Sequence, residues 1–172
     1  MQTTLTANQS AFAGGLVGGA MVATTIFLIV WFIMMVIAWW KIFEKAGEKG
    51  WKALIPIYDF YILYKIVGMK KWFWINMLVG IVGGIVIAAM GFDPNKLDAN
   101  SFSGDTLVPA LIYVAELIFS FVVSVMVYVR LSKVFGHGVG FTLGLVFLSG
   151  IFMLILGFGS SKYDKKVAKT WE

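Results

Sequence analysis

The chain has 172 residues, of which 60% are hydrophobic and only 13% are charged, and its formal net charge is +5. Soluble domains carry roughly 25% charged residues, so this chain cannot cover its own surface with polar groups, and part of that surface must face lipid. The sequence has no Cys, which excludes disulfide bonds and Cys metal sites, and its single His argues against a His-based metal site. We therefore predict an integral membrane protein that holds no metal and no other cofactor.

The N-terminal region predicts a retained membrane span. Residues 1–40 carry no charged side chain, so the positively charged start of a cleavable signal peptide is missing. The apolar run over residues 16–40 is also longer than the hydrophobic segment of a signal peptide. It is long enough to cross a bilayer, which takes about 20 helical residues. We expect the first transmembrane helix here.

Three further apolar segments are long enough to cross the membrane. They cover residues 72–92, 107–129 and 139–159. Residues 53–68 form a shorter apolar stretch that contains Pro, Asp and Lys, which favours an interfacial or re-entrant helix. Residues 93–106 have the composition of a loop. The predicted fold class is an all-α integral membrane protein, a single membrane domain over residues 1–172 with about four transmembrane helices plus that short helix.

The distribution of charge predicts the orientation of the chain. Residues 41–71 carry seven Lys against three acidic residues, whereas residues 93–106 carry one Lys against three Asp. Basic loops remain on the cytoplasmic side of a membrane. We therefore expect the N-terminus and the loop 93–106 to lie outside.

For the last apolar segment, residues 139–159, the length of the segment predicts a crossing, whereas the distribution of basic residues predicts a re-entrant hairpin. If it crosses the membrane, the four-Lys tail lies outside, and the basic residues divide nine inside to five outside. If it is a re-entrant hairpin, they divide thirteen to one. Because earlier segments often dominate the orientation, we favour a crossing and leave the hairpin open.

Glu116 lies near the centre of the predicted span 107–129. A charged side chain at that depth costs at least about 2.5 kcal/mol, so Glu116 should have a partner in the bundle interior or be protonated. It could form an ion or proton site or contact a charged ligand. It could instead be a neutral side chain hydrogen-bonded to Tyr113 or Ser120, one helical turn away. Pairing with a basic residue of another subunit is the third interpretation.

Tyr58, Tyr61 and Lys65 share one face of the predicted short helix, with Tyr64 beside them. Such a face could form a substrate groove at the cytoplasmic interface. We favour an aromatic anchor, because rings and an ammonium group can reach the headgroup layer together. Asp59 is a further candidate functional residue on the same helix.

No catalytic motif is present. The sequence has no G-x-S-x-G elbow, no P-loop, no H-E-x-x-H and no dinucleotide fingerprint. Its longest predicted outer loop is too short for the β-rich domain that holds the dyad of a Ser/Lys signal peptidase. We predict that the protein is not an enzyme. We also predict no nucleic-acid partner, because the positive charge lies on one membrane face, where it suits anionic lipid headgroups.

Two stretches resemble the signatures of a small bacterial membrane-protein family of unknown function. The stretch Ile42–Gly68, IFEKAGEKGWKALIPIYDFYILYKIVG, is similar to the pattern F-x-K-A-G-x-x-G-W-x-x-x-I-P-I-Y-N-x-Y followed by K-I-A-G. The end of the chain, LSKVFGHGVGFTLGLVFLSGIFMLILGFGSSKY, is similar to L-A-K-x-F-G-K-G-x-G-F-x-L-G-L ending in L-G-F-G-D-A-x-Y. Members are sometimes labelled signal peptidase I, although the pattern contains no peptidase dyad.

This sequence departs from the family pattern at two positions. Asp59 stands where the family usually has Asn, and Ser160 stands where it usually has Asp. Residues 93–106 look like an insertion between the two halves of the pattern. The resemblance implies a compact multi-span bundle in the bacterial cytoplasmic (inner) membrane, and it implies no function.

Glycine pairs with small-xxx-small spacing predict close helix packing. They are Gly14/Gly18, Gly15/Gly19, Gly80/Gly84 and Gly140/Gly144. We favour packing within the chain over a dimerisation motif. The two halves of the family pattern also resemble distant repeats of one another, a feature found in transporters.

The small size, the packing faces and the lack of a catalytic site favour an accessory or structural subunit of a larger membrane complex. Its partners would be other membrane protein subunits or a second copy of the chain. The alternative is a small transporter or lipid-handling protein that uses Glu116 in the bundle. An intramembrane enzyme ranks last.

Overall fold

The structure is a computed structural model that describes the backbone of residues 2–93 and 104–171 and the side chains of residues 15, 17–93 and 106–171. Most of the predicted loop 93–106 therefore lies outside the described residues. The helices are α1 Gln2–Lys45, α2 Tyr58–Ile66, α3 Lys70–Ala89, α4 Gly104–Val134, α5 Val139–Phe147, α6 Ser149–Phe158 and α7 Lys165–Lys169. A 3₁₀ turn at Gly50–Leu54 lies between α1 and α2. All regular structure in the described part of the chain is helical.

Three helices are long and apolar enough to cross a membrane, over Val17–Lys45, Lys70–Ala89 and Thr106–Val134. They overlap the first three predicted spans. In its described part, the chain is therefore an all-helical membrane protein. Each helix extends further into its flanking basic residues than the hydrophobic pattern predicts, because Lys and Arg can sit on a helix and still extend their charged ends to the headgroup layer.

The helices α3 and α4 pack antiparallel. The Ser120 hydroxyl donates to Asn76 Oδ1 at 3.5 Å near the middle of the pair. Near its end, α4 carries Arg130, whose Nη1 donates to the Gly68 carbonyl oxygen at 3.5 Å, just before α3 begins. The end of α4 and the start of α3 therefore lie at the same end of the bundle.

Residues 139–159 form two short helices with a break between them. The backbone leaves the helical conformation at Leu148, where φ is −130° and ψ is 44°. The rings of Phe141 and Phe152 then lie 5.1 Å apart, whereas eleven residues of continuous helix would separate them by about 16 Å. The ring of Phe152 also covers Gly144, where a Cβ would collide with it. The two helices therefore fold back on each other.

Both ends of this segment lie at the same end of the bundle. His137 N donates to Ser132 O at 2.9 Å before α5 begins, and Asp164 N donates to Val134 O at 2.7 Å after α6 ends. We therefore correct the crossing predicted for residues 139–159 to a re-entrant hairpin. Its helices have nine and ten residues, or about 15 Å each, which is half of the hydrocarbon thickness.

The hairpin brings the basic residues together. At one end of the bundle, α1 and α4 end and α3 begins. Thirteen of the fourteen Lys and Arg residues belong to segments at this end, and the fourteenth, Lys96, lies outside the described residues. We call this end of the bundle the basic end. This distribution of basic residues agrees with the division of thirteen to one that a re-entrant hairpin predicts.

The predicted short helix 53–68 is divided in the structure. The 3₁₀ turn leads to Pro56, and α2 begins only at Tyr58. Pro disfavours the helical conformation in the residue before it, and Ile55 is extended accordingly. Ile57 has a φ of 74°, which is strained for a β-branched residue. A continuous helix over residues 53–68 is therefore corrected to a turn, a strained bend and a nine-residue helix.

The helix α2 lies antiparallel beside the first half of α3. The ring centroids of Tyr64 and Phe73 are 5.7 Å apart, and those of Tyr61 and Trp74 are 6.3 Å apart. Gly68 makes the turn between the two helices with a φ of 69°, a conformation that glycine adopts without strain. The segment leaves the basic end and returns to it, as the re-entrant interpretation requires.

Candidate functional site

A cavity of about 480 Å³ lies between α2, α3 and α4. Its wall is mostly apolar, and four polar side chains from these three helices reach it. They are Tyr64, Asn76, Ser124 and Tyr128. The strained Ile57 forms part of the same wall. An apolar cavity with a few converging polar groups is the usual form of a small-ligand site.

Hydrogen bonds hold three of these polar groups, those of Asn76, Ser124 and Tyr128, in place. Besides the bond from Ser120 to Asn76, the Ser124 hydroxyl donates to Ser120 O at 2.8 Å. Tyr128 forms a side-chain hydrogen bond with Ser149 at the turn of the hairpin. Such bonds join helices in lipid, where no water competes for them. The set therefore connects α3, α4 and the hairpin.

Sequence reasoning did not predict this polar set. The available signals were Asn76, the one amide in the apolar segment 72–92, and the i, i+4 spacing of Ser120 and Ser124. Neither signal shows which helices meet. The hydrogen bond between Tyr128 and Ser149 depends on the fold of the hairpin, so no local pattern could have indicated it.

Glu116 lies on the face of α4 that packs against the glycines of α3. A Cβ at Gly83 would collide with its carboxylate, and a Cβ at Gly80 would lie 3.6 Å from its Oε1. The side chain is half-buried. It borders a cavity of about 600 Å³ whose other lining residues are Gly83 and apolar side chains of α3 and α4. The two glycines make room for a carboxylate at this depth.

The structure contradicts the local hydrogen bonds considered for Glu116. Ser120 donates to Asn76, and the ring of Tyr113 packs 6.1 Å from that of Phe92. Among the described residues, none donates a hydrogen bond to the Glu116 carboxylate or forms an ion pair with it. The ion or proton site, the charged ligand and the basic residue of another subunit stay predictions.

Lys65 is held by an acidic residue that sequence reasoning did not single out. Its Nζ lies 2.6 Å from Glu48 Oε1, and Lys52 Nζ lies 2.6 Å from Glu48 Oε2. Burial raises the pKa of Glu48, but the hydrogen bonds and charges of the two lysines outweigh it, and the pKa lies below its ordinary value. The hydrogen bond to Glu48 raises the pKa of Lys65.

The tyrosines of the predicted face form an aromatic cluster. Tyr58 and Tyr61 are stacked with ring centroids 5.8 Å apart, and Tyr61 packs edge-on against Phe73 at 5.4 Å. The ammonium of Lys52 lies 5.8 Å from the Tyr58 ring centroid. A cavity of about 330 Å³ beside the cluster is almost entirely apolar. The aromatic anchor and the substrate groove both stay predictions.

Asp59 makes a local contact in the first turn of α2. Its Oδ1 accepts a hydrogen bond from Phe60 N at 2.7 Å. Burial raises the pKa of its carboxyl group, and hydrogen bonds from nearby backbone groups oppose that shift without cancelling it. Asp59 does not line any of the cavities named above.

A family model described as a family of unknown function, DUF5684, matches residues 51–122 and 106–166. The two matches together span residues 51–166, which is two thirds of the chain. The chain belongs to this family. No curated protein matches it. No solved structure matches it either.

The candidate residues do not form one site. Gly83, beside Glu116, is thirteen residues along α3 from Lys70 at the basic end, which corresponds to about 20 Å. Tyr58, Tyr61 and Lys65 are on α2, which lies near the basic end. In the described part of the chain, no group of three or more His, Asp or Glu residues is placed to hold a metal ion.

Proposed function

We propose that this member of the family is an accessory subunit of a larger membrane complex and that it binds its partner through α1. The observation that carries the proposal is the uncovered first half of the span in α1. Ile26, Phe27, Leu28, Ile29 and Val30 are five consecutive residues, each between 50% and 63% exposed. At 100° per residue they cover the whole circumference of the helix.

The second half of α1, unlike the first, is covered by the hairpin. Trp31 packs on Gly150 of α6, and Ala38 packs on Gly157. Lys45 Nζ then donates to Leu156 O and Gly159 O at the end of the hairpin. Because the hairpin reaches only halfway into the membrane, it covers α1 only from about Trp31 onward.

Small residues on the uncovered half give a reason for a partner helix to bind there. Lipid chains solvate apolar residues as well as another helix does, so exposure alone provides no driving force. Gly15, Gly19 and Ala23 follow one another at i, i+4 spacing on one face, and nothing lies within 4 Å of a Cβ built at either glycine. A second helix could approach closely along this face and gain dispersion and backbone contacts.

The proposal includes the location of the protein. The basic end faces the cytoplasm by the positive-inside rule, and the uncovered half of α1 lies in the outer half of a bacterial inner membrane. The three apolar helices that are long enough to cross a membrane support a membrane location. No catalytic activity is assigned to the protein.

The test is the double substitution Gly15→Leu/Gly19→Leu in a tagged full-length chain. After cross-linking in native membranes and purification in a mild detergent, the unsubstituted protein should be recovered with one protein at a constant ratio. The double substitution should abolish that association, because two leucines keep a partner helix at a distance. The bundle itself should remain folded, since both positions face open space.

The matched control is Gly84→Leu on α3, where a Cβ also has nothing within 4 Å. This variant should retain the partner. Recovery of the unsubstituted chain only as a monomer, or only as a homo-oligomer, would contradict the proposal. Equal loss of the partner in both variants would also contradict it.

Glu116 supports a second candidate, a small transporter that moves a proton or cation. An unpaired carboxylate at the bilayer centre is costly, and broken helices line the pathways of many transporters. Flux of protons or monovalent cations into proteoliposomes should be lost in Glu116→Gln, with the thermal unfolding temperature unchanged. Identical flux through both proteins would exclude this candidate.

A further inference from the structure

A cavity of about 490 Å³ opens at the basic end of the bundle. Four parts of the chain form its wall: the residues around the end of α1, the end of α2, the start of α3 and the C-terminal tail with α7. Its charged lining residues are Lys45, Glu48, Lys65, Lys70, Lys165 and Lys169. Five lysines against one glutamate leave a net charge of +4 around the cavity.

The tail that carries two of these lysines is docked onto the bundle. The Tyr163 hydroxyl donates to Ile66 O at 2.8 Å. Asp164 receives a hydrogen bond from Lys166 N at 2.8 Å and so caps α7. Ala168 is buried, and the ring of Trp171 lies 5.0 Å from the guanidinium of Arg130. The wall formed by α7 is therefore part of the fold.

The single acidic group in the cavity is already engaged. Both oxygens of Glu48 are bound, one by Lys52 and the other by Lys65. Lys165 and Lys169 lie four residues apart on α7, and in the described part of the chain neither ammonium has a hydrogen bond or an ion pair. Like charges at this spacing repel each other and destabilise a helix. A bound anion would reduce the repulsion between these two lysines.

The start of α3 adds to the positive potential. Lys70 and Lys71 occupy its first turn, which contains no acidic residue, and Met69 at its N-cap makes no side-chain hydrogen bond. The N-terminus of a helix carries a partial positive charge, where acidic groups are stabilising and basic ones are not. Lys70 also lines the cavity, so the start of α3 faces the same space as Lys165 and Lys169.

We propose that this cavity binds a phosphate-bearing anion at the membrane surface, with Lys165 and Lys169 as the side chains that contact the phosphate. The cavity lies where two spans end and a third begins, which is the level of the lipid headgroups. An anionic phospholipid and a free phosphate ester share the chemistry that the lysines recognise. The inference does not depend on the function proposed for α1.

The test uses the full-length protein in a non-ionic detergent, with binding followed through tryptophan fluorescence. Short-chain phosphatidylglycerol is the anionic probe, and short-chain phosphatidylcholine, whose headgroup has no net charge, is the reference. The unsubstituted protein should bind phosphatidylglycerol at least about tenfold more tightly than phosphatidylcholine. The variant Lys165→Gln/Lys169→Gln should bind phosphatidylglycerol at least about tenfold less tightly, because each hydrogen bond between charged groups contributes about that factor.

The matched control is Lys162→Gln/Lys166→Gln. These two lysines are also exposed and belong to the same tail, but they do not line the cavity. The control removes the same charge, so it should bind phosphatidylglycerol at least about tenfold more tightly than the cavity variant. Equal weakening in both double variants would show a diffuse surface charge and overturn the proposal. Equal affinity of the unsubstituted protein for both lipids and no response to phosphate esters would overturn it as well.

Glycerol 3-phosphate and inorganic phosphate identify the source of the anion. If they compete only at concentrations far above that of phosphatidylglycerol, the ligand is a lipid headgroup. If they bind as tightly as the lipid, the ligand is a soluble phosphate ester. Either result supports the site, provided that Lys165→Gln/Lys169→Gln weakens the binding and the control does not.

Discussion

At the scale of single residues, Gly157 determines how closely α6 approaches α1. A Cβ at this position would lie 2.7 Å from both the Cα and the backbone oxygen of Ala38. The neighbouring atoms belong to the backbone, so they cannot move away as the end of a flexible side chain could. The absence of a side chain at Gly157 therefore lets the returning helix of the hairpin lie directly against the first span.

We expect Gly157→Ala to lower the free energy of unfolding in detergent by roughly 1–3 kcal/mol, the usual cost of overpacking. The matched control is Gly84→Ala, where the new methyl group meets nothing within 4 Å. Because Ala favours helix over Gly by about 1 kcal/mol, the control should be as stable as the unsubstituted protein or more so. Thermal or denaturant unfolding measures both. Equal stability of the two variants would contradict the close contact with α1.

At the scale of elements, Glu48 connects three parts of the chain. It follows α1, pairs with Lys52 in the 3₁₀ turn and pairs with Lys65 near the end of α2. The glutamate and Lys52 side chains are each 16% exposed, and that of Lys65 is 39% exposed. The pairs are therefore partly screened by solvent, and we expect them to contribute about 1 kcal/mol together at most.

This contribution should depend on pH in a defined way. The pKa of Glu48 is lowered in the fold, so its stabilisation is present above the ordinary value of 4.5 and is lost as the pH falls through the lowered pKa. The pKa of Lys65 is raised, so its stabilisation is present below 10.5 and is lost as the pH rises through the raised pKa.

Comparison with Glu48→Gln isolates this contribution from the other titrating groups. The difference in unfolding free energy between the unsubstituted protein and the variant should be constant between the two ordinary pKa values. It should shrink at acidic pH, where Glu48 becomes protonated, and at strongly alkaline pH, where Lys65 loses its proton. A difference that stays the same over the whole range would show that the ion pairs do not stabilise the fold.

At the scale of the whole molecule, the hairpin decides on which side of the membrane the tail lies. A crossing at residues 139–159 would place Lys162 on the same side as Asp93, beyond the far end of α3. The hairpin places it with Lys49, next to the end of α1. The chain contains no Cys, so single cysteines can report these positions without further changes.

We expect Lys49→Cys and Lys162→Cys to react with a membrane-impermeant maleimide from the same side of sealed vesicles. Asp93→Cys should react from the opposite side, because α3 crosses the membrane between Lys70 and Ala89. Right-side-out and inverted vesicles provide the two measurements. Labelling of Lys162→Cys together with Asp93→Cys would show that residues 139–159 cross.

The sequence by itself determined the features that depend on local composition. Length and hydropathy are properties of one segment, so they were enough to predict the three helices that can span a membrane. The count of Lys residues also contained the correct alternative for residues 139–159, but the length of that segment outweighed it. Pro56 indicated a break in the predicted short helix but could not place the start of α2.

Only the tertiary structure decided what depends on contacts between distant segments. The hairpin turns at Leu148 because Phe152 packs on Gly144 and the returning helix packs on α1, contacts that exist only in the folded chain. Glu116 faces Gly83 on another helix, and Ser120, one of the local partners considered for it, donates to Asn76 instead. Lys165 and Lys169 line the cavity at the basic end because Tyr163 and Asp164 dock the tail onto the bundle. In each case the deciding energy comes from packing or charge across segments, which no local pattern contains.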